Sequence, residues 1–77
     1  MENSLRKLVR YEDRFWFIDL STQKWIVDEV YCDGTRLPAK ISWGYFMEIL
    51  NSAPCISSPP SNPSEEWFKN FFEQDKV

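Results

Sequence analysis

Histidine is absent from this 77-residue chain. That removes the commonest general base, the usual zinc ligand and every Ser-His or Cys-His nucleophile arrangement. Glycine is confined to Gly34 and Gly44, too few for a phosphate-cradling loop. Cysteine is confined to Cys32 and Cys55, without the CxxC spacing of a zinc cluster. No apolar run approaches membrane-spanning length, and no apolar leader opens the chain at MENSLRKLVR. Pro63 follows Asn62 and closes the sole Asn-X-Ser glycosylation pattern. Two unpatterned cysteines in such a chain read as reduced thiols of a cytoplasmic protein (host cytoplasm if the protein is viral). Burial as small hydrophobes is the expectation for them, and a disulfide is the alternative.

Positive charge is also in short supply. Nine basic and 12 acidic side chains give a net charge of −3 and a pI near 4.8. Phosphate backbones are bound by Lys and Arg, so direct nucleic-acid binding is disfavoured, while docking on a basic protein surface is assisted. Arg6, Lys7, Arg10 and Arg14 form the densest group of cations, but Glu12 and Asp13 interrupt it. Half of the 12 acids fall in adjacent pairs: Glu12-Asp13, Asp28-Glu29 and Glu65-Glu66. Adjacent residues of a strand point to opposite faces, so a strand-borne pair does not converge on a metal ion. These acids read as solvated surface, with no enzyme activity and no cofactor expected.

What the chain does have is aromatic bulk. Four Trp, three Tyr and six Phe make up 17% of it, the opposite of a disordered composition. The length suits one domain.

Residues 5–11 (LRKLVRY) fit either period and are read as a strand. Arg14–Leu20 and Lys24–Cys32 are rich in β-formers, and the polar Ser21-Thr22-Gln23 between them suits a type I hairpin turn. In the second of these strands Trp25, Val27 and Tyr31 share one face, and Ile26, Val30 and Cys32 the other. A strand apolar on both sides belongs inside a covered sheet. Asp33-Gly34 predicts a type I′ turn folding Thr35–Leu37 back, and Pro38, lacking an N–H, ends that strand or marks a sheet edge. Ser42 predicts the cap of a helix bearing Trp43, Phe46, Met47 and Leu50 at helical spacing.

Residues 54–63 (PCISSPPSNP) hold four of the five prolines and read as an extended linker. Beyond it, Asn62 as N-cap, Pro63 at the first helical position and Glu65 at the third predict a capping box. Lys76 complements the far end of that helix's dipole. Trp67, Phe68, Phe71 and Phe72 form one apolar stripe of roughly 600–1,000 Å², more than a soluble monomer usually leaves open. The stripe requires a cover: the domain's own sheet, a second copy reached in an exchanged homodimer, or a groove of another protein.

The expected fold is α+β. A three- to four-stranded antiparallel meander over 5–41 and a helix at 42–52 make a domain of residues 1–53. A linker at 54–62 leads to an amphipathic helix within 63–77. Both helices are expected on one face of the sheet. In size, charge and aromatic content the chain resembles small acidic cytosolic inhibitors, such as phage counter-defence and toxin-immunity proteins. That resemblance implies an inhibitor or adaptor acting by steric occlusion of a protein partner, with a basic or nucleic-acid-binding enzyme as the type. Its partner-binding residues would be Trp67, Phe68, Phe71, Phe72, Glu65 and Glu66. The alternative is a sponge for a nucleotide-like ligand, its pocket formed by Trp16, Trp25, Trp43, Tyr45, Arg14 and Arg36.

Overall fold

The computed structural model describes residues 5–21, 23 and 25–74. The strands β1 (Arg6–Tyr11), β2 (Arg14–Asp19), β3 (Ile26–Val30) and β4 (Arg36–Pro38) come first. The helix α1 (Trp43–Ser52), strand β5 (Cys55–Ser57) and helix α2 (Glu65–Gln74) follow. The class is α+β, with a five-stranded antiparallel sheet in the order β4-β3-β2-β1-β5.

The fifth strand lies in the segment read as a linker. Cys55 and Ser57 pair with Val9 and Leu8 across an irregular register. That pairing covers the edge of β1, whose backbone groups would otherwise stay open.

The helices do not share a face. Strand β2 is apolar at four consecutive positions, Phe15, Trp16, Phe17 and Ile18, so both sides of the sheet need a cover. On one side Phe17, Leu8 and Val30 pack against Phe68 and Phe72 of α2. On the other, Trp16, Ile18 and Val9 pack against Phe46 and Ile49 of α1. The result is a helix–sheet–helix sandwich, not a sheet with one covered face.

Turn chemistry also differs from expectation at two places. The type I′ turn lies between β1 and β2, where Glu12 (φ 55°) and Asp13 (φ 64°) are both left-handed and Tyr11 pairs with Arg14. Between β3 and β4 only Gly34 is left-handed, at φ 94°. Its N–H donates to the Tyr31 carbonyl, Tyr31 N–H donates to the Thr35 carbonyl, and Asp33 accepts from Thr35 N–H. This is a three-residue loop with glycine at the left-handed position, closed by an Asx turn. The Ser21-Thr22-Gln23 turn lies partly outside the described residues, as does Lys76.

The caps divide in the same way. Ser42 Oγ accepts from Tyr45 N–H as its position predicts. At α2 the cap is Ser64, which accepts from Trp67 N–H at 3.0 Å, and not Asn62, which sits left-handed in the preceding bend at φ 51°. The helix therefore begins at Glu65, two residues later than the proline suggests.

Candidate functional site

The cleft between α1 and the β3–β4 end of the sheet gathers the most exposed aromatic surface of the described residues. Trp25 precedes β3 and Trp43 opens α1. Their rings stack with centroids 5.6 Å apart and planes 18° apart. Phe46, one turn along α1, meets both at 5.7 and 5.5 Å. Burial of Phe46 fixes the base of the group, while Trp43 remains 64% exposed and Trp25 49%. Val27, Pro38 and Ile41 complete the wall of a cavity of ≈ 450 Å³. Local sequence explains the meeting: Pro38 ends β4, and the Ser42 cap starts the helix close enough to lay one indole on the other.

Indole polarity separates these tryptophans from the core one. Trp16 is buried and donates its Nε1–H to the Tyr11 carbonyl at 3.2 Å. Trp25 and Trp43 both line the cleft and have no hydrogen-bond partner among the described residues, so neither indole N–H is engaged within the fold.

The residues read as a ligand pocket are thereby split. Trp25 and Trp43 meet at the cleft. Trp16 lies in the core, and Tyr45 sits between Trp16 and Tyr11 with its hydroxyl donating to Glu12 at 2.6 Å. Arg14 pairs with Glu29 at 3.8 Å, outside the cleft lining. Arg36 belongs to the α2 side: its guanidinium lies over Phe17 and Phe68, at 5.3 and 5.7 Å, and meets Asp28 at 3.9 Å. Burial raises the Asp28 pKa, and Arg36 opposes that rise. Asp28 and Glu29 thus face opposite sides of the sheet, each with its own arginine, as the strand period requires.

No family model, curated protein or solved structure matches this chain.

The tail residues divide by depth. Phe68 and Phe72 are core, 0% and 6% exposed, so the domain's own sheet covers the stripe. Trp67 and Phe71 are half-buried and stack nearly parallel, 5.7 Å apart, beside a shallow hollow of ≈ 210 Å³. Glu65 and Glu66 are exposed and border a polar hollow with Asp33, Lys69 and Glu73. The Thr35 main-chain N–H holds Asp33 below the usual carboxylate pKa.

The three arginines near the amino end are each engaged, Arg14 with Glu29 as above. Arg6 Nε reaches the Pro59 carbonyl at 3.4 Å, and Arg10 meets Asp13 at 3.6 Å. Cys32 and Cys55 are free thiols and exposed, contrary to the expected burial. Three strand spacings, roughly 14 Å, separate β3 from β5. A disulfide tolerates Cα separations of only up to ~7 Å, which excludes the alternative pairing. Among the described residues no cluster of three or more His, Cys, Asp or Glu could hold a metal ion, and no helix is long and apolar enough to cross a membrane.

Proposed function

We propose that this protein is a non-enzymatic protein-binding module whose working surface is the Trp25–Trp43 cleft. The observation that carries this reading is the open indole stack. A chain this small has little apolar surface to spare, and this one places most of its aromatic rings in two cores. Trp43 and Trp25 are the most exposed rings among the described residues and lie against each other, and Trp is enriched among binding hot spots. The action would be occlusion: the module covers a site on its partner, and its net charge of −3 steers it to a basic surface.

The site thereby moves from the tail to α1. Phe68 and Phe72 are committed to the core, which leaves Trp67 and Phe71 as a secondary contact at most. A nucleotide-like ligand fits the cleft less well, because neither Arg14 nor Arg36 lines it.

Selection of displayed peptides on the full chain tests this reading. Enriched binders that lose affinity for Trp43→Ala and keep it for Trp67→Ala support it. Enrichment lost only with Trp67→Ala would return the site to α2, and no enrichment at all would remove the reading.

A further inference from the structure

We infer that the Trp25–Trp43 cleft receives a proline-rich segment of a partner protein in the polyproline II conformation. This rests on the protein-binding reading above and adds the chemistry of the partner. A polyproline II segment has no internal hydrogen bonds, so its carbonyls stand free along its length. The cleft offers the complement. Two indole N–H groups without partners among the described residues can donate to such carbonyls, and the ring faces, with Val27 and Ile41, receive pyrrolidine rings. A preformed polyproline helix also loses little entropy on docking, which suits a small site.

The other occupants fit less well. Strand addition would use the edge strand β4, which is only Arg36–Pro38. The Ala39 N–H donates to Val27 and the Thr35 carbonyl accepts from Tyr31, so odd-numbered residues carry the ladder to β3. Arg36 and Pro38 face outward, and Pro38 has no N–H, leaving one main-chain donor for an incoming strand.

A second copy is disfavoured by area and by charge. At 64% and 49% exposure the two indoles offer roughly 170–280 Å². A stable interface needs about 800 Å² from each partner. Each copy would also bring its charge of −3. Two of the chain's own prolines are in use: Pro59 and Pro63 are buried, and the Pro59 carbonyl accepts from Arg6, while Pro54 and Pro60 are exposed.

Titration of the full chain with an uncharged proline-rich peptide of about ten residues, ~30 Å long as polyproline II, tests the inference. A length-matched Thr/Val peptide serves as the strand-forming control. The readouts are tryptophan fluorescence and the indole N–H resonances of Trp25 and Trp43. Saturable shifts of both resonances by the proline peptide are expected, with a Kd on the order of 100 µM. Trp43→Ala should weaken binding by about tenfold or more, and Trp67→Ala should leave it unchanged. Silence towards the proline peptide up to millimolar concentration overturns the inference. Shifts with the Thr/Val peptide alone also overturn it, while the broader protein-binding reading survives. Concentration-dependent broadening of the same signals, with dimer in sedimentation, would assign the cleft to a second copy and overturn it as well.

Discussion

Gly34 lies so close to the main chain of Glu65 that an added Cβ would stand 2.2 Å from that carbonyl oxygen. The contact joins the β3–β4 loop to the first turn of α2, and Thr35 Oγ1 adds a hydrogen bond to the Glu65 carboxylate at 3.4 Å. Because Gly34 is also left-handed, a side chain there is strained and obstructed at once. Gly34→Ala should therefore cost roughly 2–4 kcal/mol, read from denaturant midpoints, and should raise amide exchange in α2. A loss below about 1 kcal/mol would mean that α2 is not seated on this loop.

Core and cleft aromatics should respond in opposite ways. Phe68 is wholly buried against Phe17, with ring centroids 5.8 Å apart. Phe68→Ala should destabilise by about 3–5 kcal/mol. Trp43→Ala removes a larger ring but should cost only roughly 0.5–1.5 kcal/mol, since most of that ring is already in water. Urea denaturation of the two variants side by side checks the contrast, and equal losses would place Trp43 in the core.

The β1–β2 turn carries correctable strain. Asp13 is held left-handed at φ 64°, where glycine sits without penalty. Its contact with Arg10 is exposed and contributes little. Asp13→Gly should raise stability by about 0.5–1 kcal/mol, seen as a higher melting temperature. A lower melting temperature would contradict the left-handed assignment.

Alkaline stability should depend on Tyr11. Its hydroxyl donates to the Glu48 carboxylate, which together with burial and nearby acids raises the phenol pKa to about 12. An unfolded tyrosine ionises near 10, so the contact stabilises the fold fully below that pH. The stabilisation is lost as pH rises through about 12. Wild type and Tyr11→Phe should thus differ by a constant amount at neutral pH and converge in strong alkali. Denaturation series over that range, with phenolate absorbance as the titration readout, check it. The hydroxyl of Tyr45, bonded to Glu12, is shifted in the same direction.

Much of this fold was legible because its signals are local. β-Branched and aromatic density marked β1, β2 and β3, Pro38 marked the end of an edge strand, and Ser42 marked the start of α1. Local rules failed where two of them competed. Asp33-Gly34 is the better turn dipeptide, yet the type I′ geometry fell to Glu12-Asp13, where strand register leaves just two residues to reverse the chain. Pro63 is a good first helical residue after an Asn62 cap, but Ser64 offers an equally good cap two positions later. Strand β5 gave no signal, because Cys-Ile-Ser becomes a strand only beside the open edge of β1. The candidate site was half legible: Trp25 and Trp43 were picked out as aromatic, whereas the arginines grouped with them lie elsewhere.

By itself the sequence determined the class of the fold, the order of its main elements and the excess of large apolar rings that must find cover. Those follow from backbone propensities and side-chain periodicity, which act over a few residues. Tertiary structure alone decided which rings obtained that cover. Phe68 and Phe72 reached the sheet through the path of the 54–63 segment and the gap opposite Gly34. Trp25 and Trp43 met at its margin, where no element of the described residues closes over them. Burial is a competition among distant segments for a limited area of sheet, and no window of neighbouring residues carries its outcome.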